Sequence, residues 1–115
     1  MKDSARMRVL PLRHIDTLSI TGLDVPSEAK AGQSIPFTLH GRPPSPSFTF
    51  ARFDTLIQDD IIRIRAFGNS DGEPARAPVD IITLKGQIDP LPAGEYRIEV
   101  AELGPAGSFR LTVRP

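Results

Sequence analysis

The chain has 115 residues, with 14 Lys and Arg set against 14 Asp and Glu, and no cysteine. That length suits one compact domain with its own hydrophobic core. The charge balance argues against a dedicated binder of nucleic acid or anionic membrane, and the missing thiols exclude disulfides, zinc–thiolate sites, iron–sulfur clusters and cysteine nucleophiles.

Twelve prolines and nine glycines in a chain that is 39% hydrophobic mark a turn-rich globular protein. It is too apolar for disorder and too interrupted for a helical bundle. Residues 1–14 read as a flexible basic leader, with Lys2, Arg6, Arg8 and Arg13 against the single Asp3. The apolar stretch Val9 to Leu12 is too short for a signal-peptide core, and no segment approaches the roughly 20 apolar residues of a membrane span. Residues 15–115 read as one domain.

Alternation of apolar and polar residues, the mark of a half-buried strand, recurs along that domain. The first strand is expected from Ile15 to Val25, with Leu18 and Ile20 inward and a break or bulge at Gly22. After a turn at Ala31–Gln33, a second runs from Ser34 to His40 with Ile35, Phe37 and Leu39 inward; Pro36 on its outward side predicts an edge or a bulge. Gly41 to Pro46 is a stiff, proline-rich connection. The third strand starts at Ser47, with Phe48 and Phe50 inward, and slips or ends near Phe53. A short helical turn fits between Asp54 and Asp59. The fourth strand, Ile61 to Phe67, places Ile62 and Ile64 in the core and Arg63 and Arg65 in solvent.

Gly68 to Pro78 reads as the longest loop. The fifth strand, Val79 to Ile88, turns Ile82 and Leu84 inward. Beyond the Asp89–Gly94 corner, Tyr96, Ile98 and Val100 face in and Arg97 and Glu99 face out. The turn Gly104–Gly107 then leads to a last strand with Phe109, Leu111 and Val113 inward, and these two strands form the clearest hairpin. Seven strands with turns every 8–12 residues predict an all-β fold, a seven-stranded antiparallel sandwich.

The segment Leu91-Pro92-Ala93-Gly94-Glu95-Tyr96-Arg97-Ile98 resembles the corner and sixth strand of cysteine-free bacterial immunoglobulin-like and fibronectin-III-like domains. The resemblance implies that Tyr96, after Gly94, hydrogen-bonds its hydroxyl back to the corner backbone, and that Ile98 and Phe37 stand where antibody-type domains carry their cysteines. It also implies an immunoglobulin-like sandwich in a bacterial cell-envelope or secreted protein, periplasmic, extracellular or lipid-anchored, with the cytoplasm as the alternative. That fold hosts many functions, so the site has to be argued separately.

The sequence offers little chemistry. His14, His40, Met1 and Met7 are the only histidines and methionines. A small copper carrier would need His14, Met7 and His40 to converge, and their spacing is no known ligand motif. Asp71 within Asn69–Glu73 supplies too few oxygens for a calcium loop before Pro74 cuts it. Asp59 and Asp60 are neighbours on extended chain, with Asp54 nearby, and side chains of adjacent residues there point apart. No nucleophile elbow, phosphate loop or HExxH motif occurs. The expectation is therefore a non-enzymatic module with no cofactor and no catalytic or metal site.

Arg63, Arg65, Arg97, Arg110 and Arg114 fall on outward positions and read mainly as a solvated sheet face. Ile61 and Phe67, with Val79 and Ile81, either form a small apolar interaction patch or, with the register slipped by one, lie in the core. The expected role is a protein-interaction or spacer module whose partner is another protein or a second copy. A strand-exchanging structural subunit, with the leader as donated segment, is the other alternative.

Overall fold

The computed structural model describes residues 14–73, 77 and 79–115. The expected leader, residues 1–14, lies outside the described residues except for the His14 backbone. Among the described residues the strands are β1 (His14–Thr17), β2 (Ser19–Asp24), β3 (Glu28–Lys30), β4 (Ile35–Arg42), β5 (Thr49–Gln58), β6 (Ile61–Ser70), β7 (Ile82–Ile88), β8 (Gly94–Glu99) and β9 (Ser108–Arg114). They build a cysteine-free, mostly antiparallel all-β domain of two packed sheets.

The larger sheet has six strands centred on β6. Strand β5 pairs with β6 from Gln58↔Ile61 to Thr49↔Asn69. The opposite edge of β6 is shared by β1, against Phe67–Ser70, and by β8, against Ile61–Arg63. Strands β9 and β3 extend the sheet beyond β8. The smaller sheet is β2-β4-β7. Period-2 alternation fills the space between them: Ile62, Ile64, Ala66, Ile98, Leu111 and Val113 point down from one layer, and Ile20, Leu23, Ile35, Phe37, Leu39 and Ile88 rise from the other.

Leu18 links the layers. It sits between β1 and β2, fully buried, and its N–H donates to the Ala66 carbonyl at 2.9 Å. One run of alternating residues is thereby split between two sheets. At the far end, Tyr96 donates its hydroxyl to the Pro92 carbonyl at 2.9 Å, bracing the corner from which β8 starts. A 3₁₀ segment, Ala101–Gly107, follows β8 and kinks at Gly104 (φ 61°, ψ −140°). Glu102 from this segment accepts the Ile20 N–H at 3.3 Å, beside the β2 bulge between Ile20 and Gly22.

The seven-stranded antiparallel immunoglobulin-like sandwich is not what the chain forms. There are nine described strands in sheets of six and three, and two of the pairings, β6–β8 and β3–β9, are parallel. Three local features produce the difference. The predicted first strand breaks at Leu18 into β1 and β2. Glu28–Lys30 adds a strand because β9 offers it an edge. The span Asp54–Gln58 is strand rather than a helical turn, because β6 supplies a partner for every residue of it. The expected irregularity near Phe53 falls between Phe50 and Arg52. Pro36 lies in the middle strand of its sheet, not at an edge, but beyond the last β2 partner, Thr38, so one side is unpaired there.

Close packing on the open side of the sandwich requires a residue without a side chain. Gly86 on β7 pairs with Phe37 on β4, and a Cβ there would stand 2.5 Å from the Phe37 ring and 2.7 Å from that of Phe53. Gly86→Val is therefore expected to cost about 1–3 kcal/mol through overpacking, measured by urea unfolding. At the β5–β6 turn, Asp59 carries φ 57° as the only described non-glycine with positive φ. Two-residue hairpin turns with that backbone favour glycine first, so Asp59→Gly is expected to stabilise the fold by about 1 kcal/mol in the same assay.

Candidate functional site on the outer face of the large sheet

The alternation that sends Ile62, Ile64 and Ala66 into the core sends Ile61, Arg63, Arg65 and Phe67 outward from β6. The β5 register adds Arg52, Asp54, Leu56 and Gln58 to the same face. Strand β8 contributes Glu95, Arg97 and Glu99, and β9 contributes Ser108, Arg110 and Thr112. Arg97 stands directly opposite Arg110. The sequence places these arginines outward, and the topology sets them side by side on three neighbouring strands.

Pairing of the charges is uneven. Glu99 lies between two arginines, 3.5 Å from Arg63 and 3.7 Å from Arg97. Arg52 holds Asp54 at 3.1 Å and lies 4.9 Å above the centre of the Phe67 ring, a cation–π contact that half-covers this phenylalanine. Among the described residues, no carboxylate forms an ion pair with Arg65 or Arg110. These guanidiniums keep their planar donor forks for another acceptor.

Shallow hollows follow the same band. One, of about 440 Å³, is walled by Leu56, Arg63, Arg65 and Phe67, with Asp54, the partner of Arg52, also in its lining. A second, of about 210 Å³, shares Arg63 and Arg65 and continues to Glu99 and Ser108. A third, of about 800 Å³, runs from Ser108 to Arg97, Arg110, Asp59 and Asp60 at the β5–β6 turn. All are open. Guanidiniums and apolar side chains line the first of them together.

The predicted patch is divided. Ile61 and Phe67 share this outer face at opposite ends of β6, whereas Val79 and Ile81 precede β7 at the edge of the other sheet. The Val79 carbonyl accepts a bond from Arg42 at 2.6 Å, and Ile81 is exposed. Leu56, within the span where a helical turn is expected, stands on the arginine face instead. Phe37 and Ile98 lie in the core, with Phe37 edge-on to Phe53 at 5.0 Å.

The other predicted groups occupy separate places. Asp71 accepts from the Ser47 hydroxyl at 2.7 Å and from the Glu73 N–H at 2.9 Å, tying β6 to the start of β5. His40 sits on the small sheet in a hydrogen-bonded row with Asp24 at 3.0 Å and Thr83 at 3.1 Å, one residue from each strand. Sequence reasoning missed this row, because only the order β2-β4-β7 aligns it. It is a carboxylate–imidazole–hydroxyl series on an open face, with the Asp24 side chain 77% exposed. Met7 and the His14 side chain lie outside the described residues, and among those described no three His, Asp or Glu cluster as metal ligands.

Comparison with protein families, with curated proteins and with solved structures finds no match to this chain.

At the far end of the face, Arg114 clamps Glu28 through Nε–Oε1 at 3.2 Å and Nη2–Oε2 at 2.8 Å, fastening β3 to β9. The hydrogen bonds and the charge of Arg114 hold the Glu28 carboxyl below its ordinary range. A lowered folded pKa gives stability that is fully present above the unfolded value, near 4.3, and is lost as pH falls through the folded one. Melting temperatures between about pH 5 and pH 2 are expected to fall more steeply for the native chain than for Glu28→Gln, with both being exposed groups and the difference small.

Proposed function

We propose that this domain is a non-enzymatic protein-interaction module that works through the outer face of its six-stranded sheet. The partner presents acidic side chains beside apolar ones. One observation carries this reading: Arg63 and Arg65 wall the same hollow as Leu56 and Phe67. Guanidinium forks recognise carboxylates in a bidentate manner, and an adjoining apolar wall gives such a contact a desolvated floor. The flatness of the face favours a protein segment over a small molecule, whose sites are concave and enclosing. The open setting of Asp24, His40 and Thr83 supports a role without catalysis.

The test is an amide-resolved NMR titration with a capped hexapeptide of Asp, Glu and Phe. Shifts are expected at Arg63, Arg65 and Phe67, weakening as salt rises from about 50 mM to about 500 mM. Arg65→Glu is expected to reduce affinity about tenfold or more while leaving the melting temperature nearly unchanged. Shifts confined to β2, β4 and β7, or none at millimolar peptide, would remove this reading.

A further inference from the structure

The exposed apolar residues of β5 point to a second surface, the free edge of the strand, which shares Leu56 with the arginine face. Strand β5 is an edge: it pairs with β6 alone, and no described strand occupies its other side. The seven residues from Arg52 to Gln58, beyond the bulge, keep unbroken register with β6 and contain no proline, glycine or lysine. Proline and lysine commonly blunt an edge; the charges here, Arg52 and Asp54, pair with each other, and the bulge lies before Arg52. Leu56 is 58% exposed and Ile57 is 43% exposed.

The turn fixes which backbone groups are free. Gln58 and Ile61 close a two-residue loop, so they form a hydrogen-bonded pair, and such pairs alternate along an antiparallel ladder. Gln58, Leu56 and Asp54 therefore bond to β6. Ile57, Thr55 and Phe53 aim their N–H and C=O groups at the empty side. A bulge-free ladder of three spaced residues awaits a partner.

We propose that β5 pairs with β5 of a second copy of this chain, antiparallel about a twofold axis at Thr55, joining two six-stranded sheets into one. In that register Thr55 meets Thr55, and Phe53 meets Ile57 of the second copy on the inner face. The two Leu56 side chains become diagonal neighbours on the outer face, within reach of one another. Ile57 is covered by Phe53, and Leu56 stands across from Asp54 of the second copy with the other Leu56 beside it. Charge also selects this arrangement. Arg52 comes opposite Gln58 of the second copy, next to its acidic turn Asp59–Asp60, and the symmetry repeats the contact. A parallel in-register pairing would instead set Arg52 directly against Arg52 and Asp54 against Asp54, whereas here the two Asp54 are only diagonal.

A joint of this size lies at the low end of specific interfaces, so the dimer is weak, with a dissociation constant of roughly 10–500 µM. Sedimentation of the full chain from about 5 µM to about 1 mM is expected to show the mass rising from one copy towards two. Thr55→Pro removes an N–H that β6 does not use, and it is expected to leave a folded monomer by circular dichroism. Should that variant not fold, Ile57→Lys supplies the same reading by placing a charge in the joint. Arg52→Glu is expected to weaken the dimer about tenfold, and Arg52→Glu with Asp60→Arg to restore it. A monomer throughout, association beyond two copies, or a dimer indifferent to both Thr55→Pro and Ile57→Lys would overturn the proposal.

Discussion

Two sheets of unequal width share one core, and the mismatch governs most of what this domain presents to solvent. Three strands cannot cover six. The small sheet lies over the inner face near β6, β8 and β9, where Ile62, Ile64, Ile98 and Leu111 are fully or almost fully buried. Towards β5 that cover runs out. The layer is closed there by aromatic rings, with Phe53 edge-on to Phe37 at 76° and tilted against Phe50 at 4.7 Å. Large rings reach where backbone does not, and the offset and edge-on geometries suit their charge distribution. Beyond Phe53 nothing remains to cover the inner face of the strand, so Ile57 stays in water, while Leu56 is exposed on the outer face, which has no second layer.

The outer face of the large sheet obeys a different constraint. It has no second layer, so its residues stay charged, and opposite strands have to avoid direct repulsion. Glu99 between Arg63 and Arg97 does this for one pair of strands, and Glu95, accepting from Thr112 at 3.0 Å, stands near the next. Surface pairs of this kind add little to stability. Their effect is to position guanidiniums at fixed spacing on a rigid scaffold, while leaving Arg65 and Arg110 without a described carboxylate.

Period-2 alternation made the core and the arginine face readable from sequence. The inward residues of β4, β6, β8 and β9 and the outward arginines follow from it directly, since each of these strands buries one face. What stayed hidden depends on partners distant in sequence. Glu28–Lys30 is too short to carry a pattern and becomes a strand only beside β9. The break at Leu18 interrupts no alternation, because the residue that changes sheets is itself apolar. Leu56 and Ile57 adjoin one another and break the strand rhythm, which made a turn the natural reading. The row of Asp24, His40 and Thr83 required a strand order that no local signal encodes. Parallel pairing was illegible for the same reason.

The Glu28–Arg114 clamp joins residues 86 positions apart in the chain. It belongs to the β3–β9 pair, and β9 is also the antiparallel partner of β8. A ribosome releasing this chain would have delivered almost every strand before either pair could form. Until β9 emerges, β3 has no neighbour and β8 holds only its short contact with β6. Assembly of the sheet therefore runs from the locally closed β5–β6 hairpin outward and waits for β9 to close it. Long-range closure of this kind slows folding relative to helical domains of similar length. Through that interval the β5 edge is already formed and exposed.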